Sequence, residues 1–402
     1  MCKAGYTPTN HGRYHCAVKK FRHRLSLALL IGIALASGWL GVAEPGRAAV
    51  KAALFVPEIL PSSPVRPQAW LVGQPTHTRV MIPLATDETE ADLYLPAASG
   101  QHPAVVLFLG VVPAGRDDPR VTNLANALAR SNIVVLMPWS DVMLNSRRLD
   151  TDAVDLLVEA YRFLQGHKSV KPERIGLVGF CVGASFATLA AQDERIRDSV
   201  AYVNSFGGYF DGRDMVVSIV SRTRLYQGVA EPWEPRDDTR EVFTVHLIEG
   251  LDDPLEREAL ANVFLEGNTG PGVVPDFLHD TLSDTARTVY RLLSGVPRTE
   301  AETLVDSLPP SFTRTIEAIS PSTSIAALNA PVLIMHDRED SAVPASESRK
   351  LAEALAQRGN VYYTEFSLFQ HVDPTRPLPP LTMAREVWKL LLHMYNIMRL
   401  SA

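Results

Sequence analysis

One cysteine stands out by its setting. In Gly176-Leu-Val-Gly179-Phe180-Cys181-Val182-Gly183-Ala184-Ser185, an apolar strand-like run leads into Cys181 and an Ala-rich, helix-like run leaves it. Glycines lie two residues before and two after. A side chain at such a strand-to-helix turn sits on strained backbone, and glycine on both flanks lets neighbouring main chain come close. The turn also puts the sulfur at a helix N-terminus, where free N–H groups and the helix dipole favour thiolate over thiol. This is the setting of a nucleophile that attacks carbonyl carbon. The competing reading is a small buried cysteine packed at a crossover. Ser185 lies about one turn further on, past the bend.

A thiol nucleophile needs a base and a group to orient that base. The segment Pro331-Val-Leu-Ile-Met-His336-Asp337-Arg338-Glu339-Asp340 ends a buried-strand pattern in acids, at the carboxyl end where open α/β sheets place their sites. Asp340 is the expected orienting carboxylate, with Asp337 the alternative and Glu339 behind both; His336 reads as a structural residue at the strand end. Downstream, Tyr362 to Leu368 alternates as a strand does, and His371 follows in a loop before the last helix. His371 is therefore the candidate general base. The chain order Cys, Asp, His at three successive strand ends suits nucleophilic catalysis on a doubly wound sheet.

The elements around these residues alternate in type. Thr78 to Leu84 and Ala91 to Leu95 read as a strand hairpin. Ala104 to Leu109, Asn132 to Met137, Arg174 to Phe180, Val200 to Asn204, Pro331 to Met335 and Val361 to Phe366 read as further strands. Asp118-Pro119 opens a helix with Val121, Leu124, Ala125 and Leu128 on one face, and Ala153 to Leu164 repeats that pattern. The final helix carries Met383, Val387, Leu390, Leu391, Met394 and Ile397 on one side, a core stripe. Repeated βα units with buried strands imply an α/β, mostly parallel, doubly wound sheet. Residues 76–210 and 327–402 supply it. Residues 211–326 break the rhythm with mostly helical spacing, including a helix opened by Asp253-Pro254 with Leu255, Leu260, Val263 and Phe264. They read as a helical cap inserted over the sheet.

The remaining N-terminal part has a different character. Of 402 residues, the first 43 hold six Lys or Arg and no acid, so the rest sets 33 bases against 45 acids, a net of −12. An acidic body has no basic excess for a phosphate backbone, so nucleic acid is not an expected partner. Residues 1–24 are a basic region, and 25–43 run nineteen residues without a charge. That pattern is a signal peptide or a transmembrane anchor, placing the bulk of the chain on the extracytoplasmic side of the cytoplasmic membrane. Cleavage and retention both remain open, and association with the membrane through 25–43 depends on retention. Residues 44–75, with six prolines, read as an extended tether. Only Cys181 of the three cysteines lies beyond residue 43, so no disulfide framework is expected. The absence of an HExxH motif, a P-loop and a dinucleotide fingerprint points to no metal and no cofactor.

With these residues placed, the chain resembles the dienelactone hydrolase family of the α/β-hydrolase superfamily over roughly residues 76–210 and 327–400. Gly179-Phe180-Cys181-Val182-Gly183 is similar to the family's Gly-aromatic-Cys-x-Gly elbow, and Asp340-Ser-Ala-Val-Pro344 resembles the superfamily's Asp-x-x-Val-Pro segment. Three departures are visible: Ala184 in place of a second glycine, Leu109-Gly110-Val111 in place of the usual His-Gly, and the insertion from Asp211. The resemblance implies Cys181 as nucleophile, His371 as base and Asp340 as orienting acid. The expected reaction is cleavage of a small ester, lactone or thioester through a thioester intermediate, with main-chain N–H groups of Val182 and Val111 as the oxyanion hole. Acyl transfer by the same cysteine, or a binding protein that kept the fold and lost catalysis, are the alternatives.

Overall fold

The computed structural model describes residues 43–85, 87–111, 115–146, 148–265 and 281–402. The expected basic region and signal or anchor at 1–43 lie outside these, apart from residue 43. Among the described residues no helix is long and apolar enough to cross a membrane.

The proline-rich segment is not an extended tether. Glu44–Ile59 is a helix, α1, with Ala48, Ala52, Phe55 and Val56 buried against the rest of the protein. Pro45 sits in its first turn, where a missing N–H costs nothing. Pro57, inside the last turns, costs about 3 kcal/mol. Burying side chains such as Phe55 and Val56 contributes about 1.5–3 kcal/mol each, enough to offset it. The carbonyl of Pro57 is held by the Arg66 guanidinium, which also reaches Leu60 O at 3.2 Å.

Strands β1 (Thr76–Pro83) and β2 (Glu88–Leu95) form an antiparallel hairpin, followed by β3 (His102–Phe108), helix α2 (Pro119–Arg130), β4 (Val134–Pro138), α3 (Ala153–Gly166), β5 (Val170–Phe180) and α4 (Val182–Ala190). Asp118 caps α2 by accepting from Arg120 N at 2.9 Å, and Pro119 occupies its first turn. After β6 (Val203–Phe206) comes the insertion. It holds α5 (Gly212–Ser221), a small hairpin of β7 (Thr223–Tyr226) and β8 (Val229–Pro232), and helices α6 (Asp237–Glu249), α7 (Pro254–Phe264), α8 (Asp284–Leu293), α9 (Arg298–Asp306) and α10 (Pro310–Ala318). The chain then returns through β9 (Val332–Asp337), α11 (Ala345–Ala354), β10 (Val361–Phe366) and α12 (Pro380–Leu400).

The main sheet has eight strands in the order β1-β2-β4-β3-β5-β6-β9-β10. It is parallel from β4 to β10, with the hairpin antiparallel at one edge. Alternation within single strands explains the two covered faces. Ala104, Val106 and Phe108 of β3 pack with α3 and α4, whereas Val105 and Leu107 pack with α1, α2 and α12. A third apolar cluster lies within the insertion, built from Val217, Leu247, Leu260, Val289 and Leu304 among others. The β7–β8 hairpin is an exception to the helical spacing expected there. Leu255, expected on the buried face of α7, is 73 % exposed because it follows the Asp253 cap on the outer side of the first turn.

Candidate functional site

Cys181 lies between β5 and α4 at φ 57°, ψ −139°, a conformation costly for a residue with a Cβ. Two bonds hold it there: Cys181 N donates to Phe206 O at 2.8 Å, and Ala184 N donates to Cys181 O at 2.9 Å. The flanking glycines are required by contact. A Cβ on Gly179 would stand 2.4 Å from Ala184 Cα, and one on Gly183 would stand 2.7 Å from Phe108 O. The loop after β3 presses on the elbow in the same way, since a Cβ on Gly110 would come within 2.9 Å of Cys181 Cβ and 3.2 Å of its sulfur. Val182 opens α4, so its N–H has no partner within the helix, and Val111 borders the same cavity as Cys181. Ser185 is directed elsewhere, its hydroxyl donating to Tyr209 O at 2.7 Å.

The structure brings His371 and Asp340 together. His371 Nδ1 lies 2.7 Å from Asp340 Oδ2. The other carboxylate oxygen, Oδ1, accepts from Ala342 N at 2.7 Å and Val343 N at 3.1 Å. Fully buried His336 lies beside the acid, with Nε2 3.4 Å from Asp340 Oδ2 and 2.9 Å from Val343 O, and Nδ1 2.5 Å from Ser348 Oγ. Asp337 does a different job. Its Oδ2 accepts from Phe369 N at 2.9 Å and its Oδ1 from Glu339 N at 3.0 Å, while Arg376 pairs with it at 2.9 Å. It therefore ties the end of β9 to the loop that carries His371. Burial raises the proton affinity of Asp337 despite those bonds.

His371 also has a positive φ, 60°, and is 8 % exposed. Its Nε2 is buried with no formed hydrogen bond. Burial alone would lower its proton affinity, but the charges of Asp340 and then Cys181 overcome this and hold it well above the ordinary histidine range. Cys181 and His371 line the same cavity, and Nε2 is the ring nitrogen that Asp340 leaves without a partner. Burial alone would raise Asp340, but His371 and the bond from His336 hold it well below the ordinary carboxylate range.

A stability prediction follows from these directions. Because the His371 value is raised on folding, the stabilisation from its charged form is fully present below its unfolded value of about 6.5 and is lost as pH rises through the folded-state value. Asp340 adds the complementary limit: its share is present above its unfolded value of about 3.9 and is lost as pH falls through the depressed one. The Tm advantage of wild type over His371→Gln is therefore expected to be full at about pH 5–6 and to shrink steadily on the alkaline side. Thermal unfolding across pH checks this, and an advantage that grows with pH would contradict it.

Cys181, His371, Val182, Val111 and Gly110 line one cavity of about 660 Å³, a size that takes a small organic ligand. The insertion contributes Arg236, Asp238, Thr239, Val242 and Phe243 to its wall. It also fixes the acid loop: Trp233 Nε1 donates to Asp340 O at 2.7 Å, Arg236 N to Ser341 O at 2.9 Å, and Thr239 Oγ1 to Ala342 O at 3.2 Å. Sequence reasoning missed these three residues, because nothing local links a tryptophan after a hairpin to a loop about a hundred residues later. Among the described residues no cluster of three His, Cys, Asp or Glu could hold a metal ion.

Comparison with known proteins agrees with the resemblance read from the elbow. Residues 140–211, which contain β5, Cys181, α4 and β6, match the dienelactone hydrolase family. A Bradyrhizobium sp protein described as a probable 2-oxo-3-(5-oxofuran-2-ylidene)propanoate lactonase is 28 % identical over an alignment of 165 residues that covers 36 % of this chain. The chain spans 65 % of that relative's length. Among solved structures, the uncomplexed Pyrococcus horikoshii acylaminoacyl peptidase aligns over 81 % of this chain and 42 % of its own at 15 % identity, TM-score 0.46. A thermostable carboxylesterase cloned from a metagenomic library aligns over 83 % and 93 % at 14 % identity, TM-score 0.45.

Proposed function

We propose that this chain, whose elbow segment matches the dienelactone hydrolase family, is a hydrolase that cleaves an ester or lactone through a thioester on Cys181. The observation that carries the reading is the buried, unpartnered Nε2 of His371, whose other nitrogen is held by Asp340, in the cavity that Cys181 also lines. The lactonase relative supports the substrate class, and the cavity size suits a small organic acyl compound.

In this mechanism His371 Nε2 takes the thiol proton and the sulfur bonds to the carbonyl carbon, moving the carbonyl electron pair onto oxygen. Main-chain N–H groups of Val182 and Val111 stabilise that oxyanion. As the pair returns, the C–O bond to the leaving alcohol breaks and His371 supplies its proton. Water then gives a proton to His371, attacks the thioester and expels the sulfur, which regains its proton. Asp340 keeps the imidazole in the tautomer that leaves Nε2 free to accept.

The test is to mix the protein with a p-nitrophenyl ester, quench in acid and read the intact mass. An adduct of one acyl group, mapped by peptide sequencing to Cys181 and missing from Cys181→Ala, is expected. Ester turnover that persists in Cys181→Ala, or an adduct on Ser185, would overturn the assignment.

A further inference from the structure

The cavity at Cys181 does not end at the elbow. It continues between the sheet and the helix layer on the α1, α2 and α12 side, where Phe55 of α1, Leu124 of α2, Val178 of β5, Met335 of β9 and Leu390 and Met394 of α12 form its wall. These residues come from five separate elements and all are apolar. Three of the polar side chains that reach the wall are already engaged. Asn204 pairs with His393 at 3.1 Å, Tyr202 with Ser401 at 2.9 Å, and Glu58 accepts from Gln68 N at 2.7 Å. Charged side chains border the cavity too: Arg120 pairs with Asp118 and Asp373, and the buried Oδ1 of Asp373 has no hydrogen-bond partner. The apolar stretch of wall nevertheless offers little to water and much to hydrocarbon.

Resting on the acyl-transfer reading above, we propose that the acyl part of the substrate is an extended alkyl chain, bound in this crevice with its carbonyl at Cys181. The carbonyl end meets the N–H groups at the elbow, and the chain runs under α1 and α12, away from the insertion. Helix α1 is then part of the binding site, and the insertion borders the leaving group.

The experiment is a series of p-nitrophenyl acetate, butyrate, octanoate and laurate, each below its micelle concentration. Each buried methylene adds about three- to four-fold to kcat/KM, so octanoate is expected to exceed acetate by at least about ten-fold. Leu124→Trp and Ile59→Trp, on two different helices that line the cavity, are each expected to lower the octanoate-to-acetate ratio about ten-fold or more. Using two variants guards against one that fails to fold. Acetate turnover with a flat or falling series overturns the chain proposal and leaves the hydrolase reading intact. If no ester is turned over and Cys181 is never acylated, the hydrolase reading falls instead. The crevice is then read by a fluorescent long-chain fatty acid: retention by wild type and loss in Leu124→Trp support it, and no retention overturns it.

Discussion

Asp340→Asn is expected to lower kcat/KM on an aryl ester by about 10³–10⁴-fold while leaving the protein folded. The size of the effect comes from hydrogen-bond direction. Asp340 Oδ1 accepts from the backbone N–H groups of Ala342 and Val343, so an asparagine must keep its carbonyl oxygen on that side. Its NH2 group then takes the place of Oδ2, which now faces His371 Nδ1 at 2.7 Å. A donor there turns Nδ1 into the acceptor and moves the proton to Nε2. The ring can no longer receive the Cys181 proton, although every heavy atom stays near its place. Steady-state kinetics beside a thermal melt check this. Retention of more than about a tenth of wild-type activity would mean that Asp340 does not set the tautomer.

The parts of this arrangement that were legible in the sequence are those carried by short-range pattern. The elbow needs glycine at 179 and 183 because main chain passes within van der Waals contact there, and that need is written within five residues. The apolar runs of β3, β4, β5 and β9 are unmistakable for the same reason, since each is covered on both faces. The sequence pattern ranked Asp340 ahead of Asp337 but kept both open. Both lie at the end of β9, and what separates them is which backbone N–H groups turn toward each, a property of the loop's path. Helix α1 was hidden by its prolines, although Ala48, Ala52, Phe55, Val56 and Ile59 recur at helical spacing and would have revealed it. The crevice was beyond reach, because its wall is assembled from five elements and none of its residues is unusual for a core.

Asp337→Ala is expected to give the opposite profile to Asp340→Asn: a large loss of stability with a smaller loss of chemistry. Asp337 is completely buried and satisfies Phe369 N, Glu339 N and the Arg376 guanidinium. Removing it leaves one buried and one part-buried donor unmatched and a cation without its partner, about 3 kcal/mol even though Arg376 is itself partly exposed. For a chain of this size that corresponds to roughly 5 °C or more in Tm. The consequence for activity is indirect. Phe369 lies two residues before His371, and its ring packs edge-on against Phe206 and Phe366 at 4.8 and 5.2 Å. Those aromatic contacts keep the loop near its place after the carboxylate is gone, so kcat/KM measured well below the melting temperature is expected to fall only about ten-fold. The two variants therefore cross: one stays stable and is nearly inactive, the other is unstable and partly active. If Asp337→Ala were instead stable and inactive to the same degree as Asp340→Asn, the orienting acid would be Asp337, and the 2.7 Å contact of Asp340 with His371 would be packing rather than catalysis.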